Sequence, residues 1–136
     1  MSVNVFAPIA VADLYDKLSI LEIKLERMKD EAQLLNVRGE WLLLNEIAQG
    51  LPCNSATTVG DLRTELKSVN QAIWDAENQV RQMAAEGEHG EAFAAVARLT
   101  YSNNDRRSAI KKKLNILSGS QIIEEKYHAS IVHGLT

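Results

Sequence analysis

The chain has 136 residues, 46% of them hydrophobic and 24% charged, with a formal net charge of −3 at pH 7. That length suits one domain, 1–136, with a real core, and the composition excludes a disordered or low-complexity chain. The acidic balance gives no general pull toward nucleic acid or an anionic membrane. Cys53 is the only cysteine, so no intrachain disulfide can form, which suits a reducing cytosol. No charged leader or sustained apolar run marks the start, so neither a signal peptide nor a transmembrane span is expected. A cytoplasmic location is the expectation.

Residues 1–9 read as an extended lead ending near Pro8, because proline disfavours helix for the residue before it. A first helix follows from about Val11 to Lys29, with Leu14, Leu18, Leu21, Leu25 and Met28 forming one apolar stripe. Asp30 can cap a second helix, which stops at "QGLP". Its "EWLLLNEIA" run is apolar over a wide arc, which predicts either heavy burial or a homodimer contact. After the "PCNSAT" loop, Thr58 opens a third helix, with Asp61 as a weak capping-box partner. Val59, Leu62, Leu66, Val69, Ile73, Ala76, Val80 and Met83 sustain its stripe for about seven turns. Gly87 and Gly90 mark the next turn. A fourth helix covers Glu91 to Leu117, Gly119 stops it, and Ser120 caps a short last helix, "QIIEEKYH", within the 120–136 segment. The pattern predicts an all-α fold, an antiparallel bundle of four long helices plus a short C-terminal helix.

The fourth helix holds the anomaly. Its stripe runs Val96, Thr100, Asn103, Arg107, Ile110, Leu114, Leu117, so consecutive core slots are polar. A helix break at the cap-forming "SNND" is one explanation, a buried structural ion pair is a second, and a polar layer lining a pocket is the third. On the last, the helix continues through Asn103 and places Arg107 inside the bundle, paired with Glu77 or Asp16. Asn70, Trp74, Glu77 and Arg81 form a second stripe on the third helix, while Lys17 and Lys24 flank the leucines of the first. Lys17, Lys24, Asn70, Trp74, Glu77, Asn103 and Arg107 are therefore the candidate ligand-binding residues, a cationic recess for phosphate or carboxylate.

Sharper motifs are missing. The cations of "DRRSAIKKK" spread around their helix, and its lysines read as solvated residues near a helix C-terminus. His89, His128 and His133 form no ligand pair on a helix face, so no metal site and no cofactor is expected. No nucleophile elbow, P-loop or dinucleotide glycine pattern occurs, and no spacing identifies an acid–base pair, so an enzyme ranks below a binding role.

The stretches "API", "LYDKLSILEIKLERM", "NVRGE", "ELKSVNQAIWDAENQVR", "YSNNDRRSAIKKKLNILSGS" and "EEKYH" resemble a family of small bacterial and marine-phage proteins classed as a domain of unknown function. The resemblance runs from about Ala7 to His128, and "DK…ILEIK" and "NDRR" are its most specific parts. It implies an association with glycosyltransferase and surface-polysaccharide genes, but no catalytic residues. Val11 and Ala12 stand where that pattern has Ser and Gly, and Glu31 stands where it has Pro, which leaves the break between the first two helices open. Two functions follow as expectations. One is a helical domain that binds a sugar phosphate or nucleotide sugar. The other is an interaction module or homodimer beside a glycosyltransferase-type enzyme.

Overall fold

The computed structural model describes residues 2–127 and consists of four α-helices, with no strand among the described residues. They are α1 (Val11–Arg27), α2 (Glu31–Gln49), α3 (Thr57–Ala85) and α4 (Glu91–Ser118), with a 3-10 turn, Pro52–Ser55, between α2 and α3. Helices α1 and α2 are separate: Met28 is extended, and the Asp30 carboxylate accepts the Gln33 N–H at 2.9 Å as the cap of α2. Asp30 therefore makes the break without a following proline.

The core lies where α1, α3 and the C-terminal half of α4 meet. Leu14, Leu18, Val59, Leu66, Val69, Ile73, Ile110 and Leu114 form it, with Ala48 from the end of α2. These are the predicted stripe positions, and each large aliphatic buried there contributes roughly 1.5–3 kcal/mol over an exposed one. The pairing of Arg27 with Asp75 ties the end of α1 to the middle of α3. Beyond it, α3 and α4 continue as a two-helix hairpin. Two helices bury little, and Val96 is the single buried residue between Glu77 and Ala109.

Helix α4 is unbroken through "SNND". The polar side chains fold back on their own helix, Thr100 Oγ1 donating to Val96 O at 3.3 Å and Asn104 Nδ2 to Thr100 O at 3.0 Å. Gly119, with φ of 70°, then closes α4 in the left-handed conformation that glycine adopts without strain, and the Ser120 N–H bonds to Asn115 O at 2.9 Å.

Two expectations need correction. The short C-terminal helix is not formed in residues 121–127, and His128 and the tail to 136 lie outside the described residues. The Ser120 hydroxyl is occupied otherwise, accepting the Val11 N–H at 3.1 Å and donating to Ile122 O at 2.7 Å. The segment after it runs back along α4, held by Lys112–Glu125 at 3.0 Å and Lys126–Asp105 at 3.4 Å. Of the two alternatives for α2, heavy burial or a homodimer contact, the first is the one overturned. It packs mainly against α1, so only Val37 and Ala48 are buried, and Leu35, Leu42, Leu43 and Ile47 stay exposed.

Candidate functional site

Two polar constellations occupy the α1–α3–α4 half of the bundle, and they share Ser19. The inner one is a hub of buried polar side chains, Asp16, Ser19, Asn70, Lys111 and Asn115. Asn70 Nδ2 donates to Asp16 Oδ1 and to Ser19 Oγ, both at 2.7 Å, and Ser19 Oγ donates to Asp16 O at 2.7 Å. Lys111 Nζ lies 2.8 Å from Asp13, 3.1 Å from Asp16 and 3.8 Å from Glu124. Burial, the largest influence on Lys111, pushes its pKa down, but Asp13 and Asp16 more than offset it and hold the ammonium above its ordinary value. Asn115 Oδ1 accepts the Ala12 N–H at 2.8 Å. Helix α1 has no capping side chain of its own, so Asn115 and Ser120 cap it from across the bundle.

The outer constellation is a cleft of about 450 Å³ between α1 and α3. Gly60, Arg63, Thr64, Lys67, Ser68 and Gln71 recur at three- and four-residue steps and so share one face of α3, while Tyr15, Ser19 and Glu22 do the same on α1. Tyr15 is only 1% exposed. Its hydroxyl donates to Asn54 Oδ1 at 3.1 Å and lies 3.5 Å from Cys53 Sγ. Burial and the Cys53 contact push the phenol well above its usual range, so it stays neutral. The Arg63 guanidinium lies 4.4 Å over the Tyr15 ring and donates to the same Asn54 oxygen at 3.1 Å. Among the described residues, no carboxylate pairs with Arg63. Lys67 differs. It sits 2.5 Å from Glu26 and 3.4 Å from Glu22, and the Glu26 hydrogen bond above all raises its pKa. Glu22 also accepts the Trp41 indole N–H at 3.1 Å.

The seven sequence candidates do not share one recess. Lys17 and Lys24 line a concavity of about 310 Å³, but Asp13, Asp16 and Glu40 line it too, and Lys17 pairs with Glu40 at 3.1 Å. The positive charge there is matched by carboxylates. Asn70 is committed to the hub. Trp74, Asn103 and Arg107 are half-buried and Glu77 is exposed. Arg107 pairs with neither Glu77 nor Asp16, because it falls in the thinly covered stretch of α4. Lys111, one turn further on, takes the interior place instead, although its sequence context suggested a solvated residue. Its signal was available: it follows Arg107 by four residues and borders Ile110 and Leu114. Arg63 and the 3-10 turn gave no comparable signal, since Asn54 and Arg63 meet only through the fold. Among the described residues, no group of His, Cys, Asp or Glu is arranged to hold a metal ion, and no helix is long and apolar enough to cross a membrane.

The fold and its two polar constellations define an all-α helical-bundle protein with a buried ion hub beneath an open polar cleft. The chain belongs to the family of unknown function DUF6165, whose model matches residues 5–134. No curated protein and no solved structure shows significant similarity to it.

Proposed function

We propose that this protein is a binding domain for an anionic small molecule, held in the α1–α3 cleft with Arg63 as the charge contact. One observation carries the reading: a guanidinium fixed by Asn54 and the Tyr15 ring at the edge of a cleft, with no carboxylate partner among the described residues. A fixed guanidinium suits phosphate or carboxylate because it presents paired donors and loses little freedom on binding. This site takes the role that the sequence suggested for Lys17 and Arg107.

A thermal-shift screen of phosphorylated and carboxylated small molecules tests it, with Arg63→Gln as the variant and Arg106→Gln as the control. A ligand at about a hundred times its Kd stabilises by about 2.7 kcal/mol, which such a screen reads easily. The expected result is a shift in the wild type and Arg106→Gln, lost in a folded Arg63→Gln. A shift that survives Arg63→Gln, or none with any compound, overturns the reading.

A second observation supports an interaction role beside it. Leu35, Leu42, Leu43 and Ile47 expose an apolar face on α2, and contiguous apolar surface of this kind marks association sites. We propose a second copy of the chain as the partner for that face.

A further inference from the structure

Building on the anion-site reading, we infer that the α1–α3 cleft selects a compact, hydroxyl-rich phosphomonoester, a sugar or polyol phosphate, over inorganic phosphate and over nucleotides. Three features of the cleft lead there. The first is its uneven charge. Among the described residues no carboxylate pairs with Arg63, whereas Glu22 and Glu26 neutralise Lys67 one turn along. One end therefore takes a single anionic group, and the other presents a carboxylate that accepts hydroxyl protons.

The second feature is the lining around and beyond Lys67. The Ser68 hydroxyl and Gln71 amide, with Glu22 on α1, offer both hydrogen-bond donors and acceptors. From Arg63 to Gln71 is two turns, roughly 12 Å at 1.5 Å per residue. A six-carbon phosphate spans that length with its phosphate on Arg63 and its hydroxyls on Glu22, Ser68 and Gln71.

The third feature argues against a nucleobase. Bases gain affinity by stacking on an open aromatic face. Among the described residues, Tyr15 is the one aromatic ring lining the cleft; Arg63 covers one face, and the side chain is otherwise buried. The Trp41 indole is bound to Glu22 and is not part of the lining. A base would find hydrogen bonds there but no ring.

Calorimetric titration of the full chain with inorganic phosphate, a hexose monophosphate, the free hexose and a nucleoside monophosphate decides the matter. The expected order is hexose phosphate about tenfold tighter than inorganic phosphate, the gain of about one or two added hydrogen bonds. The nucleoside monophosphate should be no tighter than inorganic phosphate, and the free hexose should give no heat. Glu22→Gln should shrink the gap between hexose phosphate and inorganic phosphate while both still bind. A nucleoside monophosphate as tight as the hexose phosphate would overturn this inference yet leave the anion site standing. So would an unchanged gap in Glu22→Gln. No binding by any phosphate compound would remove both.

Discussion

Lys111 of α4 lies 3.1 Å from Asp16 of α1, and through that carboxylate it is joined to Asn70 of α3. Three helices thus meet at one buried charge pair. Removing one partner of such a pair leaves the other charge buried without compensation, which costs about 3 kcal/mol or more. Asp16→Ala should therefore destabilise by about 3 kcal/mol. Lys111→Met in the Asp16→Ala background should cost less than in the wild type, since one of the two carboxylates it would strand is already gone. Urea unfolding of the double-mutant cycle measures this. Additive costs would show that the pair is not coupled.

The hub and the cleft both make the fold sensitive to alkali. Lys111 binds its proton more tightly folded than unfolded, so its contribution is complete below the ordinary lysine value of 10.5 and is lost as pH rises through the folded value. Tyr15 is raised from 10.0 by burial first and Cys53 second, and its contribution likewise disappears as pH rises above 10.0. Stability from these two groups should be flat near neutrality and fall above about pH 10. Denaturant midpoints between about pH 8 and about pH 11 should fall less steeply in Lys111→Met and in Tyr15→Phe. Equal slopes in all three proteins would refute the assignment.

Helix α1 depends on caps that come from the far end of the chain. Asn115→Ala removes the acceptor for the Ala12 N–H at a fully buried position and should cost about 2 kcal/mol, the upper range for a lost cap. Ser120→Ala, at a half-buried position, should cost less, about 0.5–1 kcal/mol. Thermal unfolding of both variants checks the order, and a larger loss in Ser120→Ala would contradict it.

On the second-copy proposal, the exposed leucines on α2 serve association and not the fold. Leu42 is 57% exposed and Leu43 54%. A Leu42→Lys, Leu43→Lys variant should keep the helical circular dichroism, since both side chains are exposed on the single chain. Light scattering should show a dimer for the wild type and a monomer near 15.1 kDa for the variant. A wild-type monomer at high concentration counts against the second-copy proposal.

Arg107 provides the contrast with Lys111. Being half-buried and without an ion pair among the described residues, it should tolerate Arg107→Met with a change of about 0.5 kcal/mol or less. The same substitution at Lys111 strands Asp13 and Asp16 together and should cost about 3 kcal/mol. Chemical denaturation of the two single variants measures the difference, and equal costs would place Arg107 in the core after all.

Local chemistry was enough to read the helices. Asp30 bonds its own helix at Gln33, Gly119 ends α4 with its own backbone freedom, and the Leu14–Leu18 and Leu66–Val69–Ile73 stripes follow from a 3.6-residue repeat. Each of those features acts within a few residues of itself. The site was not legible in that way. Arg107 and Lys111 lie one turn apart with comparable surroundings in sequence, and what separates them is which of them α1 meets. Lys111 meets two α1 carboxylates, while Arg107 lies in the stretch of α4 where few side chains are buried. Likewise Asn54 and Arg63 meet at Tyr15 because the 3-10 turn packs against α3 and α1 brings Tyr15 to both. Helix formation is set by neighbours along the chain. The burial of a charge is set by the register and relative lengths of helices far apart in it, and that was decided only when they packed.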